Sequence, residues 1–261
     1  IKGIRDRLFP PALPESEFNN IVDQTEQGDT ENIEGAYDSP YQLGDMDAGQ
    51  IMWRPGIPVS FWRAVGHSHN GFFMEGFIDE MAVHAGVDVI EFRRRHLEPG
   101  SRYRAVLDRV VELSDWGNTP EGVYQGVAID KIKGAVCGQV ADVVVDGSEI
   151  RVQRVVCVVD PGMIINPDIA TTQIESCIVW GLTQTLKSEI TIDDQRVVQG
   201  NFNDFPMLRI DETPRMEVHF IESGDAPVGV GECAVAPVAP AVANAVFQAT
   251  GKRLRSLPLR L

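Results

Sequence analysis

The spacing of apolar residues divides the chain into three parts. Residues 1–50 hold no sustained period. Phe9-Pro10-Pro11 and Leu13-Pro14 break regular structure, and an acidic, polar stretch runs from Asp23 to Asp47. An extended arm or linker is expected here, with one short extended piece near Tyr37–Leu43. After Gly66 a helical period sets in. Phe73, Phe77 and Met81 repeat at i+4 with Ile78 and Ala82 beside them, and Ser68 or Asn70 is placed to cap the N-terminus. Asp88–Leu97 reads as a second helix, with Arg93, Arg94 and Arg95 near its C-terminus, where positive charge suits the dipole. Ser101–Asp115 reads as a third, with Leu107, Val110, Val111 and Leu113 apolar, and Trp116-Gly117 ends the helical part.

From Gly122 the period becomes strand-like. Val123–Lys131, Ala135–Val145 and Ile150–Val159 are rich in β-branched residues, and Asp146-Gly147 marks a hairpin between the last two. Asn166-Pro167-Asp168 then opens a helix, Asn as N-cap and Pro at the first helical position. Its Ile174, Ile178 and Leu182 repeat at i+4, and small Cys177 and Gly181 at the same spacing predict close packing along one face. Short strands are expected at Ser188–Ile192 and Arg215–Ile221, and a last helix from Pro240 to Ala249 stops at Gly251. The pattern predicts an α+β fold of mixed helices and sheets: an arm over 1–50, a mainly helical segment over 51–120 and an α/β segment over 121–261.

Composition narrows the function. Hydrophobic residues make up 43% and charged ones 23% of 261 residues, which are globular proportions in a chain long enough for a sizeable core. With 23 Lys+Arg against 38 Asp+Glu the net charge is −15, which argues against a binder of nucleic-acid phosphates. Apolar stretches are broken by Gly, Pro or charge before reaching the ~18 residues of a membrane span. The cysteines, 137, 157, 177 and 233, stand far apart in sequence without a C-x-x-C pair, so neither a zinc knuckle nor a self-contained iron–sulfur site is expected. Residue 1 is Ile and no leader pattern follows it, which suits one piece of a longer polypeptide.

The strongest local feature is Val228-Gly229-Val230-Gly231-Glu232. Alternating glycines permit positive φ and close approach of the backbone to another group. A Glu followed by the apolar run Cys233–Pro237 would be desolvated and so suited to general acid–base work. The alternative is a surface turn with a solvated carboxylate. In Phe61-Trp62-Arg63-Ala64-Val65-Gly66 an Arg lies between two aromatics and a Gly-led helix start, which suits either anion binding or a core anchor with a snorkelling Arg. His67 and His69 lack a third ligand at a recognised metal spacing and read as surface polar residues. Gln173 reads as a ligand contact or a solvated face residue, and Glu75, Asp79 and Glu80 as carboxylates facing water or paired with Arg.

Several segments in order carry a resemblance. They are Phe61–Asn70 with Glu75–Glu80, Asp160-Pro161-Gly162, Asn166-Pro167-Asp168, Gln173-Ile174-Glu175, Val179–Leu182, Asn203–Pro206, Gly229–Glu232 and Ala236–Asn244 with Ala249–Lys252. Together, over roughly residues 33–261, they resemble the molybdenum hydroxylases of the xanthine oxidase family, of the isoquinoline 1-oxidoreductase and membrane-associated aldehyde dehydrogenase type. The resemblance is to the C-terminal part of the molybdopterin-binding large subunit. It implies molybdopterin cytosine dinucleotide as cofactor, with the metal held through the pterin dithiolene and not by protein ligands. It implies oxidation of an aldehyde or N-heterocycle with a water-derived oxygen.

Residue by residue, the resemblance makes Glu232 the base that takes a proton at the metal centre. Trp62, Arg63, Ala64, Gln173 and Gly231 fall at cofactor contacts, and Val65 falls in the substrate pocket. Ala64 stands where the family has Gly, Val65 where it has an aromatic, and Thr172 and Ser176 where it has the glycines around Gln173. The implied partners are the remaining part of the large subunit, a small subunit with 2Fe–2S clusters, a cytochrome c subunit and a small-molecule substrate. The implied location is a periplasmic or membrane-associated complex. A non-catalytic scaffold that shelters the cofactor of a partner chain is the alternative.

Overall fold

The structure, a computed structural model, describes residues 4–8 (backbone only), 30–51, 57 and 60–261. The proline breaks at residues 9–14 and the start of the acidic stretch, 23–29, lie outside the described residues. In chain order the elements are β1 (Ile4–Leu8), α1 (Thr30–Ile33), β2 (Met46–Gln50), α2 (His67–His84), α3 (Val89–His96), α4 (Arg102–Leu113), β3 (Tyr124–Ile132), β4 (Ala135–Asp146), β5 (Glu149–Asp160), α5 (Pro167–Leu186), β6 (Ile192–Asp193), β7 (Arg196–Val197), β8 (Arg215–Phe220) and α6 (Val238–Thr250).

The centre is a four-stranded sheet in the order β3-β4-β5-β8, with β3, β4 and β5 antiparallel and β8 added parallel to β5. Both faces are covered, which is why most of β4 and the second half of β5 are almost continuously buried instead of alternating. On one face α5 and α6 pack over Ala128, Cys137, Ala141 and Cys157; on the other α2, α3 and α4 pack over Val127, Ile129, Val140 and Val156. Two strand glycines set how closely the helices approach. A Cβ on Gly126 would lie 2.1 Å from the Ala241 carbonyl oxygen of α6, and one on Gly138 2.8 Å from Val106 of α4.

Capping follows the sequence at four helix ends. Asp88 accepts from the amides of Ile90 and Glu91, Ser101 from Arg104 and Asn166 from Ile169, and Gly251 ends α6 at φ 70°. At α2 the expectation is corrected. Gly66 is the N-cap residue, the Ser68 hydroxyl donates to the Val65 carbonyl, and the Asn70 amide donates to Asn32 and Glu34.

Other expectations are corrected as well. Tyr37–Leu43 is a turn and irregular chain, and Tyr41 and Leu43 are buried in the core beside α2 and α3. Of the expected strand at 188–192 only Ile192 is in a strand, the two-residue Ile192–Asp193 paired with Arg196–Val197. Of the Phe73/Phe77/Met81 stripe of α2 only Met81 packs against the core: Phe73 is 44% and Phe77 46% exposed. The inward face carries Met74, Glu75, Ile78, Asp79 and Ala82, because the fully buried Arg93 draws both carboxylates inward. Phe73 and Phe77 instead line a cavity of ≈ 410 Å³ between α2 and α6.

Candidate active site

Three segments far apart in sequence meet at one end of α2, α5 and α6. The first is the turn before α2. Its Ala64 and Val65 have φ of 78° and 44°, a left-handed backbone that non-glycine residues rarely adopt, least of all β-branched Val. Ala64 is fully buried, so the family's glycine is replaced here by the smallest side chain with a Cβ. The second segment is the first half of α5, where Gln173, Ser176 and Cys177 share one side at i, i+3 and i+4. The third is Gly229–Glu232, which leads into α6 through a turn in which the Glu232 carbonyl accepts from Val235 at 3.0 Å.

Arg63 ties the three together. Its Nε donates to the Gly231 carbonyl at 2.7 Å, Nη1 to Ser176 Oγ at 3.0 Å and Nη2 to Gln173 Oε1 at 3.4 Å and to the same Gly231 carbonyl. The next backbone amide, Ala64 N–H, donates to Glu232 Oε2 at 3.1 Å. Trp62 stacks at a tilt on Trp180 of α5, ring centroids 5.3 Å apart. The structure therefore brings Trp62, Arg63, Ala64, Gln173, Gly231 and Glu232 together, with Val65 half-buried beside them.

Two details of the glycine-flanked Glu differ from expectation. Glu232 is half-buried, not enclosed by the apolar run that follows it, because that run turns away into the core and the carboxylate stays at the open edge. Gly229 and Gly231 have no positive φ, and nothing lies within 4 Å of where a Cβ would stand on either. No packing within the described residues needs these glycines. They leave a bare backbone strip beside Glu232, open to another group.

A second polar cluster lies under the same turn. His67, expected at the surface, is buried, with its Nδ1 3.1 Å from Asp130 of β3. Burial alone would depress its pKa, but the Asp130 charge and hydrogen bond outweigh that and raise it, with Glu34 and Asp38 adding to the effect. Burial also raises the carboxyls of Asp130 and Glu34, and Glu34 Oε1 is a buried oxygen without a hydrogen-bond partner. Glu34 sits directly beneath Gly66, where a Cβ would come within 2.9 Å of Glu34 Cγ.

Two residues that help hold the site had no role assigned from the sequence, although Asp160 stood in one of its motifs. Gln139 of β4, fully buried, donates to the Ala234 carbonyl at 2.8 Å and anchors the chain just after Glu232. Asp160, at the end of β5, takes three hydrogen bonds from Arg102, one of them on its carbonyl, and others from Gly162 and Ser223, which ties together the loops that follow β5 and β8. A buried polar residue inside a β-branched run was the only available hint of Gln139. The cysteines, far apart in sequence, gather beneath the site: Cys137 and Cys157 sulfurs are 3.6 Å apart, and Cys177 Sγ lies 3.3 Å from the Gly231 oxygen.

Fold and site define an open polar strip beside one carboxylate. Residues 92–214 match the molybdopterin cofactor-binding domain family. The chain is 33% identical, over 97% of its length, to isoquinoline 1-oxidoreductase subunit beta of Brevundimonas diminuta. It is also 33% identical, over 82% of its length, to the membrane-bound aldehyde dehydrogenase (pyrroloquinoline-quinone) of Gluconacetobacter polyoxogenes. It covers 32% and 30% of those two proteins, about a third of their length. Its fold superposes on quinoline 2-oxidoreductase of Pseudomonas putida 86 with a TM-score of 0.79 at 13% identity, covering 98% of this chain and 58% of that one. Over residues 92–214 the chain carries the molybdopterin cofactor-binding domain, and over about a third of their length it is similar to the oxidoreductase subunits named above.

Proposed function

We propose that this chain supplies the proton-handling wall of a molybdenum-dependent oxidoreductase that oxidises an aldehyde or N-heterocyclic substrate with a water-derived oxygen, and that Glu232 is its general base. The observation that carries the reading is the convergence of Arg63–Ala64, Gln173 and Gly231–Glu232 on one open strip. Glu232 Oε2 is held by Ala64 N–H, which orients the carboxylate and leaves Oε1 as the oxygen that takes up the proton. The bare backbone at Gly229 and Gly231 and the exposed amide of Gln173 fit a cofactor lying across them. Trp62 and Gly231 would present backbone to it and Gln173 its side chain, Arg63 and the buried Ala64 would hold that wall in place through Gly231 and Glu232, and Val65 would face the substrate. When bound, a molybdenum cofactor supplies the transferred oxygen and accepts the electron pair.

The family supports molybdopterin. The cytosine dinucleotide form, the partner subunits with 2Fe–2S clusters and cytochrome c, and a periplasmic or membrane-associated site belong to the same reading. The test is made on the intact enzyme: metal analysis, the nucleotide released by acid, and turnover of an aldehyde and an N-heterocycle in 18O-labelled water. Molybdenum, cytidine monophosphate and label in the product are expected. Full turnover without molybdenum, or a product oxygen that carries no label from the water, would refute the assignment.

A further inference from the structure

Ser176 stands where the family pattern has glycine, and its hydroxyl accepts from Arg63 Nη1 at 3.0 Å, a bond that glycine could not make. The guanidinium is thereby spread across two elements, α5 through Ser176 and Gln173 and the Glu232 loop through Gly231. Burial pushes the Cys177 thiol up to about 11, so at neutral pH it is protonated and donates to the same Gly231 carbonyl. Gly231 is therefore gripped from two sides. Residues 63 and 64 in turn hold residues 231 and 232, side chain to carbonyl and amide to carboxylate. With most of its N–H groups engaged inside the chain, Arg63 has little left to offer a substrate oxygen.

We propose that Ser176 is a positioning residue: it locks Arg63 onto Gly231 and thereby fixes the direction of the Glu232 carboxylate. The proposal rests on the reading of Glu232 as base. Without the hydroxyl, Nη1 loses its acceptor, the planar fork is free to turn about Nε, and the loop carrying Glu232 loosens. Because the groups displaced act in the reaction rather than in substrate capture, kcat falls and KM stays. Misplacement by 1 Å costs about 100-fold, so the smaller loosening expected here costs about tenfold.

The experiment compares Ser176→Ala and Ser176→Thr in the intact enzyme. In cofactor-free enzyme, hydrogen exchange at residues 228–235 is read by mass spectrometry. In loaded enzyme, kcat, KM and molybdenum content are read. Faster exchange and a kcat about tenfold lower in the Ala variant, with KM and molybdenum content unchanged and Thr restoring both, is the expected result. Unchanged exchange in the Ala variant would overturn the proposal. So would faster exchange with normal kcat, or loss of molybdenum, which would assign the hydroxyl to cofactor binding. A Glu232→Gln enzyme with normal turnover would instead overturn the underlying reading, and the exchange data on Ser176 are independent of that result.

Discussion

Arg93 offers a sharp test of how α2 and α3 hold the site's foundation. It is fully buried, and its guanidinium bonds Glu75 Oε2 at 2.9 and 3.1 Å, Asp79 at 3.4 Å and the carbonyls of Val89, Glu75 and Val127. Tyr41 closes the network by donating to Glu75 Oε1 at 2.5 Å. Arg93→Met keeps much of the volume but leaves two buried carboxylates facing each other with one cation removed. Breaking one side of a buried ion pair costs about 3–5 kcal/mol. For a chain of this size each kcal/mol moves the midpoint by about 2–4 °C, so thermal unfolding should fall by about 6–20 °C. Burial already raises the Glu75 pKa against the pull of Arg93, so the variant should recover stability at acid pH, where Glu75 takes up a proton. Arg93→Met with Glu75→Leu removes the orphaned charge and should regain at least half of the loss, since apolar replacement of a whole buried pair is often neutral. Thermal unfolding followed by circular dichroism reads all three proteins. A shift below about 2 °C for Arg93→Met would show that the network contributes little and that the cost from broken buried pairs does not apply here.

Gly126→Ala should be more damaging than its single methyl suggests. The new Cβ would meet the α6 backbone at 2.1 and 2.3 Å, so α6 must shift, costing about 1–3 kcal/mol or more. Reduced yield or a lower midpoint checks it, and a normal midpoint would mean that α6 moves without strain. The His67–Asp130 pair should make stability depend on pH. The folded His67 pKa lies above its ordinary 6.5, so its contribution is complete below that value and is lost as pH rises through the higher folded one. The midpoint difference between the native chain and His67→Gln should therefore shrink over that range; a constant difference from acid to mildly alkaline pH would contradict the pairing.

What the sequence disclosed depended on whether the signal was local. The cap Asn166 and the stop Gly251 act within a few residues and were legible, as were β3, β4 and β5 from their β-branched runs. The facing of α2 was not, because apolar spacing favours Phe73 and Phe77 while a distant Arg93 decides which side is buried. The site divided in the same way. Glu232 and Arg63 stood out through their neighbours, but the bonds that hold them through Gly231, Ser176 and Gln139 span 95 to 168 residues of chain and exist only in the fold.

The central claim is tested most directly by Glu232→Gln in the intact enzyme, with reduction of the molybdenum centre by substrate followed in a single turnover and metal content measured alongside. The Gln side chain keeps the shape and the bond from Ala64 but loses the oxygen that takes up the proton. The account predicts native molybdenum content and a rate lower by about 10²–10⁴-fold, the usual worth of general-base help. Full molybdenum with a loss of less than about tenfold, well short of that range, would contradict it and place the base elsewhere.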